Sequence, residues 1–112
     1  MTKPEQVEKM FSDIKTQYGR LDVLVNNAAN AGSVGRLHEV PLEKVQTLMS
    51  VNQLGAWTVL KFGLKLMVEC GNGGRVVNTG SIVGISGVAA KSGSAHYSAT
   101  KAAVMNMTKG YG

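Results

Sequence analysis

Asp22-Val23-Leu24-Val25-Asn26 is a short, nearly continuous apolar run, followed by Asn27-Ala28-Ala29-Asn30 and a small-residue stretch reaching Gly35. A run of this kind, with no polar alternation, is the pattern of a parallel strand covered on both faces. The Asn-, Ala- and Gly-rich segment after it reads as a loop.

Working outward, the residues before the run predict a helix. Thr2 and Glu5 stand three apart in the spacing of a capping box, and Pro4 suits a first turn. Val7, Met10, Phe11, Ile14 and Tyr18 recur at helical spacing, and Gly19 is placed to end the helix in a left-handed conformation. Downstream, Leu42, Val45, Leu48, Met49, Asn52, Val59, Leu66 and Met67 predict one long helix from Pro41 to about Glu69. Gly55 and Gly63 fall inside it, each costing about 1 kcal/mol against alanine. Either another backbone packs closely there or the helix breaks. Arg75-Val76-Val77-Asn78-Thr79 reads as a second strand, Gly80 to Ala95 as a Gly/Ser/Ala-rich loop, and a last helix starts near Tyr97.

Helix, strand, helix, strand, helix implies an α/β fold of parallel strands joined by right-handed crossovers. Two such strands leave both sheet edges unpaired and give the helices little to pack against. The expected architecture is therefore part of a doubly wound parallel sheet in one domain spanning 1–112, with neighbouring strands lying outside the sequence.

Composition narrows the function classes. The 112 residues suit one small domain, and no apolar run approaches a membrane span. Met1-Thr2-Lys3-Pro4-Glu5 lacks the features of a secretory signal, and Cys70 is the single cysteine, which leaves no internal disulfide and no cysteine-cluster metal site. A reducing, cytoplasmic setting is the default expectation. The net charge of +5 comes from singly scattered cations such as Lys9, Lys15, Arg20, Arg36 and Lys44, with no basic stripe for nucleic acid. After Glu69 there is no acid, while Arg75, Lys91, Lys101 and Lys109 remain. That imbalance favours an anionic ligand such as a dinucleotide, or it reflects acidic sequence lying elsewhere.

The chemistry concentrates in Tyr97-Ser98-Ala99-Thr100-Lys101. A spacing of four on a helix puts Tyr97 and Lys101 on one face, about one turn apart. Free tyrosine, with a pKa of about 10, is a poor proton-transfer group at neutral pH. An ammonium about 4 Å away, at an effective dielectric near 20, favours phenolate by up to about 4 kcal/mol, or roughly three pKa units. Alone, Tyr and Lys four apart fit any amphipathic helix. Context adds weight: the second strand runs straight into Gly80-Ser81, and a serine past the carboxyl end of a parallel strand lies where open α/β sheets bind ligands. Its hydroxyl is placed to hydrogen-bond a substrate oxygen as charge develops.

Four segments in order resemble the short-chain dehydrogenase/reductase family and cover nearly the whole chain. Leu24 to Ala29 resembles its Asn-Asn-Ala-Gly motif, Val51-Asn52-Gln53-Leu54-Gly55 its mid-helix asparagine, Gly74 to Ser81 its catalytic-serine strand, and Tyr97 to Ala103 its catalytic helix. The resemblance implies a partial Rossmann-like fold and hydride transfer between NAD or NADP and a small alcohol or carbonyl substrate. It implies Tyr97 as general acid/base, Lys101 as the residue that tunes Tyr97 and holds the nicotinamide ribose, and Ser81 as the stabiliser of the reacting oxygen. Asn52 is expected to support a water relay to Lys101, and Asn26, Asn27 and Ala28 to lie beside the cofactor. The family commonly dimerises through its long mid-chain and catalytic helices, so a homo-oligomer is expected, with neither nucleic acid nor membrane as partner.

Departures accompany this likeness. Ala29 stands where the family has glycine, a second Asn-Ala-Gly occurs at Asn30 to Gly32, and Ser81 and Tyr97 lie a few positions further apart than usual. That surplus is expected within Ala90 to Ala95. The family's Gly-rich pyrophosphate turn has no counterpart, since Gly71-Asn72-Gly73-Gly74 precedes a strand. The position that selects NAD or NADP and the last strands are also missing. A second reading from another class therefore stands: a truncated, non-catalytic product acting through dimerisation with a partner.

Blander readings apply elsewhere. Gly80-Ser81-Ile82-Val83-Gly84 is not a hydrolase nucleophile elbow. His38 and His96 form no metal pattern, and His96 is expected to tune the site entrance or face water. Asn52 is equally an ordinary polar helix residue, and Trp57 and the methionines read as packing.

Overall fold

The computed structural model describes residues 2–86 and 93–111. Helix α1 (Pro4–Tyr18) leads through Gly19 into strand β1 (Val23–Asn26), and a loop crosses to α2 (Leu42–Met49). A π-helical turn (Ser50–Gly55) joins α2 without interruption to α3 (Ala56–Cys70), and strand β2 (Arg75–Asn78) follows. A four-residue helix, α4 (Val83–Ser86), and a long α5 (Ala95–Gly110) complete the described chain.

The two strands pair in parallel with Val23 opposite Arg75 and Asn26 opposite Asn78. They form a partial Rossmann-like sheet, as the apolar runs predict. The coverage differs from expectation. Leu24 and Asn26 are buried beneath α3, whereas Val23 and Val25 on the opposite face are 57% and 62% exposed. Residues alternate across a strand, and every helix that reaches this sheet lies on one side.

On that side Val7 and Phe11 of α1, Leu24 of β1, and Val59, Leu60, Leu66 and Met67 of α3 form the core. The stripe on α1 is buried only at Val7 and Phe11; Met10 and Tyr18 stay exposed because α3 covers a single line of the helix. Pro4 opens α1 as expected and Gly19 closes it at φ +74°, but Lys3 is the N-cap and no side chain caps the helix. The Thr2–Glu5 capping box does not form.

The predicted long helix is real and runs through the π turn without interruption, and close packing accounts for Gly63. At Gly63 a Cβ would stand 2.6 Å from Leu24 Cδ2 and 3.3 Å from the Phe11 ring, so α3 approaches β1 more closely than any side chain allows. Gly55 ends the π turn in a right-handed helical conformation, at φ −61° and ψ −46°, so the helix does not break there. The expected loop between Gly80 and Ala95 carries α4, and the surplus placed at Ala90 to Ala95 falls partly outside the described residues. Among the described residues no helix is long and apolar enough to cross a membrane.

Candidate active site

The carboxyl ends of β1 and β2 meet the first turns of α5. Thr79 extends the sheet by one rung, its N–H donating to the Asn26 carbonyl at 3.1 Å, and its hydroxyl donates to Asn27 Oδ1 at 2.7 Å. Its own carbonyl accepts from Lys101 Nζ at 2.9 Å. One residue past β2 therefore fixes both strand ends and the lysine.

Lys101 is 4% exposed, and its ammonium lies 5.8 Å from the centroid of the Tyr97 ring. Helical spacing brings the two together, as the sequence predicts. Burial pushes the Lys101 ammonium below its ordinary value. Taking a lysine out of water for a single hydrogen bond among the described residues is costly in stability. Such a residue is a functional-site candidate.

Ser81 lies three residues past the end of β2, ahead of α4. Val83 N–H donates to Ser81 Oγ at 3.4 Å, a long contact that leaves the hydroxyl proton free to donate outward. α4 seats the serine: at Gly84 a Cβ would stand 2.9 Å from the Ala102 nitrogen and 3.0 Å from the Lys101 carbonyl carbon. Only a residue without a side chain lets α4 touch the backbone of α5 beside Lys101.

Asn52 sits in the π turn at 2% exposure, far from an ordinary surface polar residue. Its Oδ1 accepts from Asn30 N–H at 2.7 Å, and its Nδ2 donates to the Asn30 carbonyl at 2.8 Å and to Thr100 Oγ1 at 3.2 Å. Both amide protons are thereby taken. π turns recur at functional sites because they disrupt the regular carbonyl pairing of the helix. Asn30, set aside as part of a repeated Asn-Ala-Gly, and Thr100 are the participants that spacing did not single out. The available signals were the position of Thr100 three residues after Tyr97 and the polar Asn52 among apolar helix positions.

Asn26, Asn27 and Ala28 follow β1 directly. Asn27 and Ala28 are exposed at the strand end, but the Asn26 side chain is buried and donates to the Ala56 carbonyl at 3.2 Å and to Asn78 Oδ1 at 3.1 Å. Asn78 in turn donates to Thr108 Oγ1 at 3.0 Å and Tyr111 Oη at 2.5 Å. This asparagine pair ties both strands to α3 and α5. His96 is buried, with Nε2 against Gly32, where a Cβ would stand 3.0 Å away. The expectation that it faces water is corrected, because the loop after β1 folds back over it. Trp57 is likewise not core packing: at 58% exposure it lines an open groove of about 1050 Å³ between α3 and α5.

Comparison with known proteins gives the family and the fold. A family model described as short chain dehydrogenase matches residues 1–112. An uncharacterized NAD-dependent oxidoreductase of Mycobacterium tuberculosis is 36% identical over 92% of this chain and 36% of its own length. The 3-oxoacyl-[acyl-carrier-protein] reductase of Thermotoga maritima is 34% identical over 97% of this chain and 42% of its own length. A crystal structure of NAD+-bound xylitol dehydrogenase superimposes with a TM-score of 0.90 at 29% identity, covering 97% of this chain and 40% of that one. The chain thus spans about two-fifths of the length of these relatives.

Proposed function

This chain belongs to the short chain dehydrogenase family, and from that premise we propose that it carries the proton-handling half of an NAD- or NADP-dependent oxidoreductase acting on a small alcohol or carbonyl. The observation that carries the reading is Lys101: buried, bonded to the Thr79 carbonyl, and with its ammonium 5.8 Å from the centroid of the Tyr97 ring. An ammonium has three donors, so two remain for ribose hydroxyls, and the residues present fit the nicotinamide-ribose end of such a cofactor.

The nicotinamide supplies or accepts the hydride when bound. In the reductive direction Tyr97 Oη gives its proton to the carbonyl oxygen as the carbon gains hydride, and in the oxidative direction it takes the hydroxyl proton back. Ser81 Oγ–H donates to the same oxygen and stabilises its charge as it develops. Lys101 lies beside the Tyr97 ring, its ammonium 5.8 Å from the ring centroid. The Asn52 side chain is committed to Asn30 and Thr100, and its support of a water relay to Lys101 is what the family resemblance implies. Asn26 sets the position of the strand end, while Asn27 and Ala28 offer an open, small-residue edge for a flat ligand.

A second reading rests on the groove between α3 and α5, where Leu54 and Trp57 are exposed. A second copy seated there would make the chain a homodimer, with or without turnover. Sedimentation of the wild type and of Trp57→Asp separates the cases: a dimer that the substitution dissociates supports self-association, and a monomeric wild type removes it.

Calorimetric titration with NADH and NADPH, with circular dichroism beside it, tests the main reading. Saturable heat with either cofactor, weakened in Lys101→Met, is the expected result. A folded chain giving no heat with either one overturns it.

A further inference from the structure

Thr100 is the most completely buried side chain on α5, at 0% exposure, and it lies between Tyr97 and Lys101 in sequence. Thr16, Thr47, Thr58 and Thr108 each donate to the carbonyl four residues back, an ordinary habit of helical threonines. Thr100 departs from it twice. Its hydroxyl donates to the carbonyl three residues back, that of Tyr97, at 2.8 Å, and it accepts a hydrogen bond from Asn52 Nδ2 at 3.2 Å. Asn52 is itself clamped by two bonds to the backbone of Asn30.

These contacts form one unbroken line from the loop after β1, through the π turn, into the first turn of α5. From that geometry we infer that Thr100 is a positioning residue, whose hydroxyl locks the rotation of the Tyr97–Lys101 turn against Asn52 and Asn30. The inference rests on the roles proposed above for Tyr97 and Lys101. A helical turn that rotates by about 10° swings a tyrosine oxygen by roughly 1–2 Å, and displacements of about 1 Å are worth about 100-fold in rate. The N-terminal turn of α5 has no side-chain cap, so the Asn52–Thr100 bond is a tie to the rest of the fold that its own sequence does not supply. A β-branched residue suits the task because its methyl restricts the side-chain rotamer and so aims the hydroxyl.

NMR of the wild type, Thr100→Val and Thr100→Ser tests this without cofactor or turnover, so loss of cofactor binding and loss of this inference are separately visible. In Thr100→Val, which keeps the shape and removes the hydroxyl, the Tyr97 ring and Lys101 ε-methylene resonances should move. Thr100→Ser should restore them, and the Val25 and Val77 amides should stay in place throughout. Unmoved Tyr97 and Lys101 signals in Thr100→Val overturn the inference. Should that variant not fold, the wild type decides: a Thr100 hydroxyl proton in slow exchange with water, close to the Asn52 side-chain amide, is the expected result. A hydroxyl exchanging freely with water overturns the inference.

Discussion

The two faces of β1 obey different rules. Leu24 and Asn26 face α3 and are buried, the first in the apolar core and the second in hydrogen bonds to Ala56 and Asn78. Val23 and Val25, one residue away in each case, stand open to solvent. The same strand is a finished interior on one side and an uncovered surface on the other. All the geometry that fixes the candidate site, from Asn26 to Thr79 to Lys101, is tied to helices on the finished side. Position at this site therefore depends on the α3 and α5 packing, and the open face contributes little to it.

The sharpest way to break this contrast is Gly63→Val. Its side chain would drive into Leu24 and Phe11, and the expected loss is about 3 kcal/mol in urea unfolding. Asn52→Ala comes next: it removes three hydrogen bonds and leaves the Asn30 backbone groups to find other partners. A loss of about 2 kcal/mol is expected by the same measurement.

Lys101→Met should have the opposite sign, raising stability by about 1 kcal/mol while removing the proposed chemistry. The pH dependence follows from burial. The folded protein releases the Lys101 proton at lower pH than the unfolded chain does, whose lysine holds it to about 10.5. Between those two points the unfolded state binds more protons, so stability rises with pH. Lys15, raised by its hydrogen bond to Glu69, works the other way above 10.5. The difference between wild type and Lys101→Met in thermal unfolding isolates the rising contribution.

On the open face, Val25→Thr should change stability by less than about 0.5 kcal/mol. A change as large as that of Gly63→Val would mean that the open face is packed in solution. Smallest of all is Glu69→Gln, which breaks the exposed 2.9 Å pair with Lys15. It should lower Tm slightly at low ionic strength and have no effect near about 0.5 M salt.

Much of this was legible because local chemistry and tertiary context agree. The run Val23–Asn26 is a strand and Tyr97 and Lys101 share a helix face in either view. The failures have physical causes. The capping box at Thr2 and Glu5 loses to a start at Pro4, whose ring already favours the first turn. An apolar strand records what a parallel sheet needs on both faces, and among the described residues helices cover one face of β1. Helical periodicity shows that the Trp57 face is apolar without showing what lies against it, and Trp57 is exposed. The clasp of Asn30, Asn52 and Thr100 depends on a π turn, and sequence spacing assumes a regular helix.

Tyr97→Phe tests the central claim most directly, by following NAD- or NADP-coupled turnover on a panel of secondary alcohols and ketones. The account predicts turnover by the wild type and a loss of at least about 100-fold in the variant, with an unchanged circular dichroism spectrum. A variant that keeps its rate within a few-fold, or a folded wild type that turns over none of the panel with either cofactor, would contradict it.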